Sequence, residues 1–223
     1  MTHFVRQAGM CGSFTLLLAT AACGSRASAP GPSTPSTGAP PINRRIVVLG
    51  DSLATFPSSD ASFPAALQRR ISASSLPWKI ANAGVSGDTT SGGLRRIDAL
   101  LADDVAVLVL ALGANDGLRG VDVPVVERNL SSMIERAQSK GVRVLLCGME
   151  APPLRSWDYS LEFHRLFPRL AGKYQLSLVP FLLAGVALNP ELNGPDGIHP
   201  NAAGAERIAA TVWPYLEPLL VDN

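Results

Sequence analysis

Four short polar clusters could carry chemistry: Gly50-Asp51-Ser52, Ser86-Gly87-Asp88, Gly113-Ala114-Asn115-Asp116 and Asp196-Gly197-Ile198-His199. A serine hydroxyl is a weak nucleophile unless a base takes its proton. Histidine is the usual base near neutral pH, and a neighbouring carboxylate fixes its tautomer and stabilises its charged form. Past the N-terminal region there are two histidines. His164 lies in the helical stretch Tyr159-Ser160-Leu161-Glu162-Phe163-His164-Arg165 and reads as a surface or packing residue. His199 follows Asp196 by three residues, close enough to share one turn. Attack on a carbonyl also needs donors for the oxyanion that develops. The backbone N–H of Ser52, the backbone N–H of Gly87 and the side-chain amide of Asn115 are the candidates. Each has a plainer explanation when taken alone. Asp196-Gly197 is a common turn dipeptide, Gly87 a loop glycine, Asn115 a helix cap, and Ser52 or Asp51 a residue suited to a helix start. Their joint occurrence, in this order, favours acyl transfer with Ser52, Asp196 and His199 as the catalytic group.

These clusters can meet only if the elements bring them together. Ile46-Val47-Val48-Leu49 is an apolar, mostly β-branched run leading straight into Gly50-Asp51-Ser52, which reads as a buried strand followed by a turn. A helix is expected over 62–72, a short strand over 78–82 and a helix over 91–101. Residues 105–112 form the most apolar run, Val-Ala-Val-Leu-Val-Leu-Ala-Leu. Such a run is covered on both faces, so it is expected to be a central parallel strand. A helix over 123–139 ends at Lys140-Gly141, and a fourth strand spans 142–147. Helical sequence runs over 158–174 with a break expected at Pro168. A fifth, short strand is expected over 176–179, a short helix over 181–188, a loop over 189–198 and a last helix from Asn201 towards Leu216. Alternation of strands and helices predicts a three-layer α/β/α domain with a five-stranded parallel sheet. In such a sheet the loops after the strands share one edge, which is where the four clusters fall. Asp51 and Asp116 flank the candidate positions and are expected to hold loops by hydrogen bonds. Leu118, Val121, Pro153, Leu154, Trp157 and Tyr159 lie in loops expected to border the site, where they would line an apolar substrate groove or anchor the loops.

The ends of the chain read differently. Residues 1–22 carry Arg6, an apolar core from Phe14 to Ala22, and small residues at Ala21-Ala22, the pattern of an export signal. That apolar core is shorter than the roughly 20 residues a membrane span needs. Thr20-Ala21-Ala22-Cys23 resembles a bacterial lipobox, with Thr20 where an aliphatic residue is usual, so Cys23 is a candidate for lipidation and membrane attachment. Ordinary signal cleavage nearby is the alternative. Residues 23–41, rich in Ser, Pro, Gly, Ala and Thr, cannot bury enough apolar surface to order themselves and read as a tether. Residues 42–223 are one domain's worth of chain. The net charge of +1, with no run of Lys or Arg, excludes the concentrated basic footprint of a nucleic-acid binder. Of three cysteines, Cys147 alone remains in the domain, so no disulfide framework is expected. Neither a G-x-G-x-x-G nor a P-loop follows the first strand.

Gly50-Asp51-Ser52-Leu53, Ser86-Gly87-Asp88-Thr89, Gly113-Ala114-Asn115-Asp116 and Asp196-Gly197-Ile198-His199 together resemble the four blocks of the SGNH, or GDSL-type, hydrolases. The resemblance covers residues 45–220 and is strongest to the bacterial thioesterase I/lysophospholipase and arylesterase group. It implies a flavodoxin-like sheet of order 2-1-3-4-5. It also implies hydrolysis of acyl esters or thioesters with no metal or cofactor. Ser52 would be the nucleophile, Asp196 and His199 would complete the triad, and Ser52, Gly87 and Asn115 would form the oxyanion hole. Leu118 to Val121 resembles a loop that rearranges on acyl binding in relatives. The expected substrate is a small acyl ester or lipid. The expected form is a monomer, exported to the periplasm or anchored to a membrane in a bacterium. One departure stands out: after Ser52-Leu53 the chain reads Ala54-Thr55-Phe56-Pro57, where relatives usually continue with a small residue, Gly and Tyr. That alters the lip of the site. A carbohydrate O-deacetylase on the same fold and a non-catalytic surface lipoprotein are the competing expectations.

Overall fold

Five apolar segments pair into one sheet, and their order decides where the polar clusters meet. The computed structural model describes residues 44–152 and 156–221. The expected export signal, Cys23 and the tether lie outside the described residues, as do Pro153 and Leu154. The strands are β1 (Arg44–Gly50), β2 (Trp78–Asn82), β3 (Val105–Ala111), β4 (Arg143–Cys147) and β5 (Ser177–Val179). All pairings are parallel and the order is β2-β1-β3-β4-β5, as the resemblance implied. The helices are α1 (Phe63–Ala73), α2 (Thr90–Leu100), α3 (Ala114–Arg119), α4 (Val123–Ser139), α5 (Trp157–Tyr174) and α6 (Ala202–Val221). α1 packs against α6, while α2, α4 and α5 pack in series, so helices cover both sides of the sheet.

β3 is central, and its residues from Val107 to Ala111 are buried, which is why its sequence lacks the alternation of a half-exposed strand. Each fully buried Leu, Ile or Val contributes roughly 1.5–3 kcal/mol by leaving water. Ser62 stands at the N-cap position of α1 with its hydroxyl donating to the Ser59 carbonyl at 3.0 Å, and Pro64 sits in the first turn, where a missing N–H costs nothing. Among the described residues no helix is long and apolar enough to cross a membrane.

The chain departs from expectation in the C-terminal third. α5 runs unbroken through Pro168. The proline lies on the solvent side of the helix, while Phe163, Phe167, Leu170 and Ala171 hold both halves against the core. The carbonyl it leaves unpaired, that of His164, is on the exposed side, where water can satisfy it. Residues 181–188 form successive turns, not a helix. Gly185 at φ +74° and Leu188 at φ +61° take left-handed conformations that a right-handed helix cannot contain. α6 continues five residues past Leu216, through Pro214 and Pro218. Both prolines face outward, Leu216 and Leu220 are buried, and the Trp78 indole N–H of β2 donates to the Leu220 carbonyl at 3.1 Å.

β4 and β5 are locked at their ends by Gly148, whose N–H donates to Val179 and whose carbonyl accepts from Leu182. A Cβ at Gly148 would stand 2.1 Å from the Pro180 carbonyl oxygen. Gly148→Ala is therefore expected to cost about 1–3 kcal/mol, as overpacking against backbone does. Urea unfolding would show it as a lowered midpoint, and an unchanged midpoint would refute the account.

Candidate active site

β1 and β3 are neighbours whose onward connections diverge, β1 towards β2 and β3 towards β4. That makes the crevice beyond their carboxyl ends the switch point of the sheet. The last register pair is Gly50 with Ala111. Ser52 leaves one strand and Asn115 the other, so pairing sets their separation.

Ser52 opens a single 3-10 turn, Ser52–Ala54. Its carbonyl accepts the N–H groups of Thr55 and Phe56 and the Thr55 hydroxyl at 3.1 Å. The buried Asp51 carboxylate caps the turn, accepting the Leu53 N–H at 3.0 Å. These bonds fix the serine on a short, unyielding arc.

Asp196 and His199 come from the irregular segment before α6. One carboxylate oxygen of Asp196 accepts the N–H groups of Ile198 and His199, each at 3.0 Å, the local turn that Asp favours. The other lies 2.6 Å from His199 Nδ1. A carboxylate only accepts, so Nδ1 carries a proton, and in the neutral imidazole Nε2 is then the acceptor. Nε2 stands 2.9 Å from Ser52 Oγ, so the hydroxyl proton points at the imidazole. The bond from His199, then those from the two backbone N–H groups, holds Asp196 well below the usual carboxylate range. An isolated antiparallel bridge between Asn193 and Pro200 closes the segment, with the N–H groups of Gly194 and Asn201 donating to the carbonyls of His199 and Leu192, and side-chain amides add to it. Asn193 donates to the carbonyls of Val186 and Asn189, and Asn201 donates to those of Glu191 and Asn193. The Phe56 ring stacks on the imidazole with centroids 4.1 Å apart and planes 15° apart. Sequence reading took Phe56 only as a departure from the family pattern. That departure was the signal for this contact.

The N–H groups of Ser52 and Gly87 donate to no described residue. The Asn115 amide donates to the Asp88 carbonyl at 2.9 Å and to Asp51 at 3.2 Å. Asn115 is not a helix cap: it is the second residue of α3, and Gly113 occupies the cap position at φ +125°, a value that excludes a side chain. Asp116 accepts from both the N–H and the hydroxyl of Thr90. It ties α3 to the start of α2, the loop-holding role expected of it. Burial raises its carboxyl.

The expected groove residues divide. The Tyr159 hydroxyl donates to the Val121 carbonyl at 3.0 Å, so Tyr159 and Val121 meet, and Tyr159 anchors the end of the α3 turn. Leu118 and Trp157 are exposed, Trp157 at 78 %. Arg119 donates to the Gly87 carbonyl at 2.9 Å, joining the α3 turn to the second cluster. His164 lies on the outer face, 2.7 Å from Glu150. Cys147 is buried, and desolvation pushes its thiol up to about 12.

Burial also raises Asp51, to about 6 against an ordinary 3.8, although Leu53 and Asn115 donate to it. The folded chain then binds more protons than the unfolded chain between those values, so stability falls as pH rises through that window. Two units correspond to roughly 3 kcal/mol. Relative to Asp51→Asn, which keeps an acceptor for Leu53, the wild type is expected to lose about 2–3 kcal/mol from pH 4 to pH 7. Urea unfolding across that range checks it, and parallel curves for the two proteins would contradict it.

The family model described as GDSL-like lipase/acylhydrolase matches residues 48–207. Esterase TesA of Pseudomonas aeruginosa is 40 % identical over 178 residues, spanning 78 % of this chain and 89 % of that protein. Thioesterase 1/protease 1/lysophospholipase L1 of Escherichia coli is 33 % identical over 178 residues, spanning 78 % and 84 %. A crystal structure of TesA superposes with a TM-score of 0.76 at 38 % identity, over 79 % of this chain and all of that one. A match of this extent, running from β1 into α6, makes the chain a member of the GDSL-like lipase/acylhydrolase family and a carboxylic ester hydrolase.

Proposed function

We propose that the protein hydrolyses acyl esters and thioesters through an acyl-enzyme on Ser52. The observation that carries this is the unbroken series Asp196, His199 Nδ1, His199 Nε2, Ser52 Oγ, with contacts of 2.6 and 2.9 Å. As Ser52 Oγ bonds to the acyl carbon, its proton passes to His199 Nε2. Asp196, held anionic, stabilises the imidazolium. The carbonyl oxygen takes up the negative charge between the N–H groups of Ser52 and Gly87 and the amide of Asn115. When the bond to the leaving oxygen or sulfur breaks, His199 returns the proton to it. Water then attacks the acyl-serine, giving a proton to His199, and His199 passes that proton to Ser52 Oγ as the carboxylic acid leaves.

The substrate is read as a small acyl ester or a lipid. The exposed apolar side chains of Leu118 and Trp157 and the relatives named esterase and thioesterase/lysophospholipase support an acyl chain of some length. Residues 1–22 and Cys23 are read as the export signal and the lipidation site, which would put the enzyme beside its lipid substrate.

Hydrolysis of p-nitrophenyl esters from acetyl to palmitoyl tests this reading. Activity is expected to peak at medium or long chains. Ser52→Ala should lower kcat by at least about 10³-fold, and Asp196→Asn by roughly 10²–10⁴-fold. Activity confined to acetyl esters would point to carbohydrate deacetylation. Wild-type turnover by folded Ser52→Ala would refute the mechanism.

A further inference from the structure

The three proposed oxyanion donors sit on three separate segments. Ser52 follows β1, Asn115 follows β3, and strand pairing relates those two. Gly87 stands five residues beyond the end of β2, at the tip of a turn closed by Asp88 N–H to the Val85 carbonyl. Its distance from the other two depends on how this loop is held. The loop begins against β1, where the N–H groups of Ala83 and Val85 donate to the carbonyls of Val48 and Gly50. Beyond Val85 no strand pairing supports it.

One side chain ties the end of β1 to the Gly87 loop. Arg96, on α2, donates from Nη2 to the Gly50 carbonyl at 2.9 Å, from Nη1 to the Ala83 carbonyl at 2.5 Å and from Nε to the Asp88 carboxylate at 2.8 Å. Gly50 lies two residues before Ser52. Ala83 starts the loop, and Asp88 adjoins Gly87. The Asp88 carbonyl in turn accepts the Asn115 amide at 2.9 Å. The guanidinium and the carboxylate are largely shielded, with 23 % and 11 % of their side-chain surfaces exposed.

The sequence of α2 is built around this contact. A Cβ at Gly92 would stand 1.6 Å from an Asp88 carboxylate oxygen, so only glycine lets Asp88 fold over the first turn. Gly92 costs this eleven-residue helix about 1 kcal/mol in propensity.

We propose that Arg96 is the positioning residue of the oxyanion site: its guanidinium sets where the Gly87 N–H stands relative to the Ser52 N–H and the Asn115 amide. The proposal rests on reading those three groups as oxyanion donors. The planar fork of arginine presents donors in several fixed directions at once, whereas lysine offers a single point of charge. Lysine at this position can serve only some of the three acceptors.

The test is a double-mutant cycle on a p-nitrophenyl ester, with urea unfolding to show that each variant is folded. Asn115→Ala should lower kcat by about 10²–10³-fold, the usual loss for one donor. Arg96→Gln should lower kcat by roughly 10- to 100-fold with KM within about twofold, because the transition state and not the substrate loses contacts. Arg96→Lys should recover part of that loss. In the double variant the two losses should fall short of multiplying by about tenfold or more, because both act on one site. Folded Arg96→Gln with wild-type kcat, or losses that multiply fully, would overturn the Arg96 assignment while leaving an impaired Asn115→Ala to support the donors. Undiminished kcat in Asn115→Ala would overturn the donor reading and the proposal with it. If Arg96→Gln does not fold, Arg96→Lys decides: a lowered kcat at unchanged KM supports the proposal, and wild-type kcat overturns it.

Discussion

The pairing of β1 with β3 is the constraint on which the rest depends. Both strands are buried, both run the same way, and their register carries through to Gly50 and Ala111. Side chains that leave the ends of such strands emerge on the same edge at a spacing set by the hydrogen-bond ladder. Ser52 and Asn115 inherit that spacing, though 63 residues separate them in the chain. The connections diverge at this point, leaving a crevice in place of a covering crossover. The apolar core acts at a distance here. The burial of Val47 to Leu49 and Val107 to Ala111 is what makes the relative position of two polar residues reproducible.

Everything else at the site belongs to segments outside the parallel sheet, and there polar side chains supplement the little backbone pairing available, such as the isolated bridge between Asn193 and Pro200. Asp51 caps the serine turn, and Asp116 ties α3 to α2. Asn193 and Asn201 hold the segment bearing Asp196 and His199. Arg96 gathers three carbonyl or carboxylate groups below the Gly87 loop. A buried polar group without a partner costs about 1–3 kcal/mol, so each of these residues also satisfies backbone groups that the loops would leave orphaned. Precision at the site and stability of the loops come from the same bonds.

Legibility in the sequence followed the range of the interaction. Strands and helices with strong periodicity were readable to within a residue or two, as at β2 and α4, because their signal is local. The Asp196-to-His199 turn was readable for the same reason: an Asp accepting from the N–H groups two and three residues on is a property of four consecutive residues. The reach of α6 past Leu216, through Pro218, was hidden, since it depends on Trp78 of β2 and on which face of the helix is buried. The turns at 181–188 looked helical because composition does not display the left-handed backbone at Gly185 and Leu188. Arg96 escaped notice, and Phe56 stood out only as a departure from the family pattern, because each acts through space. Arg96 has Arg95 beside it, which pairs with Ser91 on the helix surface, and nothing in the local sequence tells the two apart.

The two carboxylates nearest the serine show how environment sorts residues of one type. Asp196 is partly exposed, accepts from the imidazole and two backbone N–H groups, and stays ionised. Asp51 is sealed from solvent with fewer donors, and burial shifts it towards the neutral form. In the proposed mechanism a full negative charge at Asp51, which accepts from the Asn115 amide, opposes the charge that develops on the acyl oxygen. Desolvation weakens that opposition without removing the cap that Asp51 supplies to the serine turn. In the proposed mechanism the anion beside the base assists the imidazolium, and protonation of Asp51 below about pH 6 relieves the charge that faces the donors. That is the division of labour expected where two carboxyl groups serve one reaction.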